Sequence, residues 1–144
     1  MGIQQILLLV LSVIIVGVSV SVAITMFNNQ AYIANQQAVA SELQNYGLQA
    51  IQYYKTPKSQ GGAGEDSTVA TIPIISTFLG FSGTGNSVTS DNGEFRVISI
   101  TGSTLTFKGL GKEFKNGKYP LVTTTVSMSV GTVISSVSSG VSFN

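Results

Sequence analysis

The chain of 144 residues contains no cysteine, no histidine and no tryptophan. Without cysteine there is no disulfide and no thiolate nucleophile. Without either cysteine or histidine, metal centres built on those ligands are excluded, and so is histidine acid–base catalysis. A metal would have to bind carboxylates alone, and Glu65–Asp66 is the sole adjacent acidic pair. Proline occurs three times, first at Pro57. Charge is scarce as well: seven Lys and Arg stand against six Asp and Glu, a net charge of +1, and the first charged residue is Glu42. Nucleic-acid affinity needs a concentrated basic surface. Lys108, Lys112, Lys115 and Lys118 form only a loose cluster broken by Glu113; it could touch nucleic acid or anionic lipid, but is read as a solvated loop. Gly80–Gly85 (G-F-S-G-T-G) lacks a phosphate-binding lysine in P-loop spacing and reads as turn glycines. These absences predict no enzyme, no cofactor, no metal and no nucleic-acid partner.

What is present is one long apolar run. Ile6–Phe27 is almost wholly aliphatic, interrupted by Ser12, Ser19, Ser21, Thr25 and Gly17. As a helix, these residues reach about 33 Å, enough to cross a bilayer core. Hydroxyls on such a helix can bond back to a carbonyl one turn earlier, which makes them tolerable in apolar surroundings. Gly17 and Ser21 stand in small-xxx-small register, a pattern that lets helices approach closely in lipid. No Lys or Arg flanks the run, so the positive-inside signal of a simple anchor is missing. The basic start of a secretory signal is missing too. Trimming of a longer precursor would account for this, leaving Met1 either an initiator or a processed end.

From Asn28 to Tyr54 the character changes without a break. Ala31, Ala34 and Ala38, and then Leu43, Tyr46, Ala50 and Tyr53, recur at intervals of three and four, with Val39, Gly47, Ile51 and Tyr54 widening the stripe at its C-terminal end. That spacing marks an amphipathic helix. Its polar face is mostly Gln and Asn (Asn28, Asn29, Gln30, Asn35, Gln36, Gln37, Gln44, Asn45, Gln49 and Gln52), and suits either solvent or a crowded interface between like subunits. One helix is therefore expected over about residues 2–54, ended by Thr56–Pro57 because the residue before proline is driven out of the helical region. Lys58–Ser67, with three glycines, reads as a flexible connection.

The remainder reads as strands. Val69–Ile75 is apolar, with Pro73 favouring an edge or bulge. Phe95–Ile100 alternates, with Phe95, Val97 and Ser99 on one side and Arg96, Ile98 and Ile100 on the other. Gly102–Ser103 joins it to Thr104–Phe107 as a hairpin, and Asp91–Asn92–Gly93 and Asn116–Gly117 signal further turns. Leu121–Val130 and Thr132–Val137 are rich in Val, Thr and Ser. Phe78, Leu79 and Phe81 are expected to pack under a Gly-rich loop. The fold class is thus α+β: a long N-terminal helix followed by a small antiparallel sheet of about five or six strands. The expected division is a helix over 1–55, a linker over 56–67 and a β-rich outer domain over 68–144.

The opening text M-G-I-Q-Q-I-L-L-L-V-L-S-V-I-I-V-G-V-S-V, continuing into an amphipathic half and then a β-rich domain, resembles the type IV pilin superfamily. That superfamily spans bacterial pilins, secretion pseudopilins, archaeal adhesion pilins and archaellins. The resemblance covers Met1–Tyr54. Bacterial members usually carry Glu as the fifth residue of the mature helix, and a proline near residue 22; if Met1 is the mature start, those positions hold Gln5 and Val22. An unbroken helix, closer to the archaeal filaments, is therefore expected.

The resemblance implies a structural filament subunit that waits in the inner membrane. A pilus-type assembly ATPase and a polytopic platform protein then move it into a helical homopolymer on the cell surface. The residues assigned to the polymerisation and membrane helix are Gln4, Gln5, Ile6, Leu9, Ser12, Val13, Val16, Gly17, Val20, Ser21, Ile24 and Phe27. The Ser- and Thr-rich outer domain is a candidate for O-linked sugars, whereas no N-linked sequon is present. The competing expectation is a non-polymerising membrane-anchored pseudopilin or envelope binding domain.

Overall fold

The computed structural model describes residues 2–143. Met1, on which the question of an initiator or a processed end falls, lies outside the described residues, as does Asn144. The protein is α+β: helix α1 (Gly2–Lys55), a 3-10 turn at Lys58–Gln60, a short helix α2 (Ile72–Phe78), and strands β1 (Ser87–Thr89), β2 (Gly93–Thr101), β3 (Thr104–Gly111), β4 (Tyr119–Ser127) and β5 (Thr132–Gly140). The strands form one antiparallel meander in chain order, so every pair is a hairpin neighbour. At about 1.5 Å per residue, the 54-residue α1 is about 80 Å long. No proline interrupts it.

Only the C-terminal half of α1 meets the sheet. Val39, Leu43, Gly47, Ala50, Tyr53 and Tyr54 are its buried residues, and they recur at intervals of three and four, as one helical face requires. Opposite them lie Phe95, Val97, Leu105, Phe107, Val122 and Val126 from the inner face of the sheet. Two glycines set the separation of these layers. A Cβ on Gly47 would sit 2.9 Å from Val126 Cγ2, and one on Gly109 would sit 2.7 Å from Val39 Cγ1. Thr124, wholly buried on the same face, shares a 2.8 Å hydrogen bond with the Ser135 hydroxyl. The expected helical stripe is therefore slightly rotated: Ala34 is exposed, while Asn35, assigned to the polar face, turns inward.

Three expectations about the remainder are corrected. Val69–Ile75 is not a strand, because the chain turns there and enters α2 with Pro73 in the first turn. In that position the missing proline N–H breaks no helical bond, and Ile75 and Leu79, one turn apart, both reach the core. In β2 the alternation reverses at Ile98, where the register slips between Val97 and Ser99. A bulge adds one residue on one strand, so Ile100 rather than Ser99 packs against the core. Phe78 is 51% exposed, although Leu79 and Phe81 are buried.

The glycine-rich segment after α1, expected to be flexible, folds back and caps the helix. The Ala63 and Glu65 amides donate to the Tyr53 and Tyr54 carbonyls at 3.1 and 2.8 Å, and the Gly64 amide donates to the Thr56 carbonyl at 2.8 Å. The Tyr54 hydroxyl donates to the Glu65 carbonyl at 2.8 Å. These bonds occupy carbonyls that a helix end otherwise leaves to water. Two expected turns form as read: Gly102–Ser103 closes β2–β3, and Asn116–Gly117, both at positive φ, closes the loop between β3 and β4.

Candidate assembly surface: the exposed half of the long helix

From Gly2 to Asn28 every residue of α1 is exposed. The apolar side chains are exposed on all sides: Ile6, Leu7, Leu8 and Leu9 follow one another at 65–67% exposure. A helix that is apolar all round belongs in a membrane or a protein core rather than on a water-facing surface. This one lies in no core of its own chain, since none of its most apolar stretch is buried. It is long and apolar enough to cross a bilayer. Burying one Leu, Ile or Val side chain is worth roughly 1.5–3 kcal/mol, so leaving some fifteen in water costs on the order of tens of kcal/mol. That is more than a typical domain's whole margin of roughly 5–15 kcal/mol.

The polar groups within the run are satisfied locally. Ser12 donates to the Leu9 carbonyl at 2.7 Å, Ser19 to Ile15 at 2.8 Å, Ser21 to Gly17 at 3.0 Å and Thr25 to Ser21 at 3.0 Å. With hydroxyls so bonded, the segment presents almost no unmet hydrogen-bonding demand along about six turns. Gly17 has nothing within 4 Å of where a Cβ would sit, which leaves a notch open to a neighbour. Ile6, Leu9, Val13, Val16, Val20, Ile24 and Phe27 run along one side of the helix at steps of three and four, and Gly17 and Ser21 lie next to that ridge. Gln4 and Gln5, near the start of α1, are exposed and make no side-chain hydrogen bond among the described residues. All twelve residues read from the sequence thus share one continuous exposed rod.

Two residues important to the geometry were not singled out by sequence reasoning. Asn35 donates to the Asn92 carbonyl at 2.8 Å, and its side-chain oxygen accepts from the Lys112 and Glu113 amides at 3.0 and 3.3 Å. Glu42, two turns further on, accepts from the Ser90 hydroxyl at 2.9 Å and from the Asn92 side-chain amide. Together they fasten the β1–β2 turn and the β3–β4 loop to the point where α1 leaves the domain. The signal was available for Glu42, which with Lys55 makes up the only charge on the helix. Asn35 was hidden among many similar Asn and Gln residues.

Of the acidic pair Glu65–Asp66, the Asp66 carboxylate is engaged within the chain. Asp66 accepts from Lys58 at 2.7 Å and from the Thr68 hydroxyl and amide at 2.6 and 2.9 Å. No family model, curated protein or solved structure matches this chain.

Proposed function

We propose that this chain is the structural subunit of a helical, type IV pilus-like extracellular filament, held in the membrane by α1 before assembly and carrying no catalytic activity. The observation that supports it is the apolar rod of residues 2–28, exposed on every side and free of charge. A bilayer and a bundle of like helices both satisfy such a surface, and the rod can pass from one to the other with little change in apolar burial. Uncharged flanks favour the shared bundle, where a charge repeated in every subunit would repel its copies. The outward Gln and Asn residues from Asn28 to Gln52 extend that neutrality to the edge of the domain. Strand β5 adds a second unpaired surface: a sheet edge without charged residues, with Ile134 and Val137 at 68% and 52% exposure. Packing around the Gly17 notch and the serines sets the strength of helix contacts in lipid, where apolar burial does not discriminate.

Assembly would require an ATPase and a platform protein to lift the helix out of lipid, and the Ser- and Thr-rich face of the sheet would face outward, open to O-linked sugars. Cryo-microscopy of material sheared from producing cells tests the reading. The expected result is a fibre whose core is α1 and whose surface is the sheet. If the chain stays wholly in the membrane fraction and disperses in detergent as single copies with no fibre, the reading fails in favour of a membrane-anchored pseudopilin or binding domain.

A further inference from the structure

We propose that the β3–β4 loop, with Tyr32 beside it, is a docking surface for the phosphate headgroups of anionic lipids, engaged while α1 is inserted in the bilayer. The inference rests on the reading that Ile6–Phe27 occupies lipid.

The topology supplies what the sequence spacing of the lysines does not. β3 runs toward the exit of α1, so the loop after it lies at that end of the domain. The Lys112 and Glu113 amides bond Asn35, and the Lys115 ammonium lies 5.8 Å from the centre of the Tyr32 ring. Tyr32 follows the end of the apolar run by five residues, which is about 7.5 Å along the helix. The headgroup layer on each side of a hydrocarbon core is roughly 5–7 Å deep. With Ile6–Phe27 spanning the core, Tyr32 and the loop are therefore held at the outer edge of the headgroup layer.

The chemistry fits that level. Tyr32, Lys115, Asn116, Lys118 and Ser139 line a concavity with no carboxylate among its lining residues. Lys112 and Lys118 are exposed, and no loop lysine pairs with an acid among the described residues, whereas Lys58 and Arg96 are paired with Asp66 and Glu94. Glu42, Asp91, Glu94 and Glu113 also lie at this end, and Glu94 lines a neighbouring concavity with Lys112 and Tyr119, but none of the four lines this one. Phe114 projects from the same loop at 60% exposure, its ring tilted by 52° against that of Tyr119 with centres 4.9 Å apart. Aromatic rings beside basic groups are the side chains that settle at a membrane–water boundary. A membrane is the occupant because the surface is continuous with the spanning helix and its free cations complement an anionic leaflet. Each lysine is expected to shift the docked population about fivefold.

The chain has no tryptophan, so Phe114→Trp places a single reporter in the loop, and Tyr32→Trp provides a second should the first disturb folding. The full chain is reconstituted into vesicles of phosphatidylcholine alone and of phosphatidylcholine with phosphatidylglycerol. Flotation after an alkaline wash reads insertion of α1 separately. The expected result is insertion in both, with indole emission shifted to the blue and quenched by brominated lipid only where phosphatidylglycerol is present. Replacing Lys112, Lys115 and Lys118 by Gln abolishes that shift, and high salt weakens it. If the chain floats but the indole emits as in water in both vesicles, or the shift survives loss of the lysines, the docking surface is overturned and the membrane reading stands. If alkali washes the chain from both vesicles, the membrane reading fails and this inference fails with it.

Discussion

Asn35 stands inside a helix that its side chain does little to favour, and its three hydrogen bonds to Asn92, Lys112 and Glu113 account for its presence. Asn35→Ala leaves two loop amides and one carbonyl to find water, and should lower stability by about 1–2 kcal/mol. A urea titration checks this, with a lower midpoint and unchanged slope expected. Glycines separate the two halves of the molecule as clearly. Gly109→Ala drives a methyl group into Val39, Leu43 and Phe95 and should cost about 1–3 kcal/mol through overpacking. Gly17→Ala meets nothing and should leave thermal unfolding of the domain unchanged, while it narrows the notch offered to a neighbouring helix. Circular dichroism melts of the two variants in the same detergent distinguish these outcomes. Neither glycine differs from the other as a letter in the sequence; only what lies opposite distinguishes them.

Among the elements, the loop that follows α1 departs furthest from its sequence expectation. Glycines and polar residues read as flexibility, yet here they permit the close turns that let amides reach back to the Tyr53, Tyr54 and Thr56 carbonyls. Asp66 anchors the far side. The hydrogen bond from Lys58, then those from the Thr68 hydroxyl and amide, hold its carboxyl well below the ordinary value of 3.8. A carboxylate with a depressed folded pKa contributes its stabilisation fully above the unfolded value and loses it as pH falls through the folded one. The tie therefore holds down to about pH 4 and weakens only in stronger acid. A carboxyl NMR titration should place the Asp66 midpoint below 3.8, and Lys58→Gln should move it upward. The misread of Val69–Ile75 has a similar cause. A short apolar run with a proline is compatible with an edge strand or with the first turn of a helix, and the alternative that brought Ile75 and Leu79 into the core prevailed. The bulge at Ile98 belongs to the same class, since one residue's slip reverses every later side chain of the strand.

At the scale of the whole molecule, the protein divides between a domain that buries its own apolar surface and a rod that does not. The core under the sheet draws on α1 only from Val39 onward, joined by partly buried residues beside it. Removing residues 2–27 should therefore leave a water-soluble domain with the thermal stability of the full chain in detergent, within about 1 kcal/mol, because no contact in the core is lost. Scanning calorimetry of the shortened chain checks this. On the reading proposed above, the same deletion abolishes both membrane retention and filaments, which fractionation and negative staining would report.

The long helix, its termination at Thr56–Pro57, the hairpins at Gly102 and Asn116–Gly117 and the α+β class were all legible in the residues. Each depends on local chemistry: an uninterrupted run of helix-compatible residues, a proline's steric demand, a glycine or asparagine tolerating positive φ. The hydroxyls of Ser12, Ser19, Ser21 and Thr25 also bond back as their positions implied, because their partners are one turn away. The tertiary structure alone decided which side of α1 meets the sheet, and so that Asn35 and Glu42 are clamps rather than surface. It alone brought Lys115 of the β3–β4 loop beside Tyr32, 83 positions away in the chain. Contacts of that separation depend on how strands pair and where one bulge falls, and no period in the sequence encodes either.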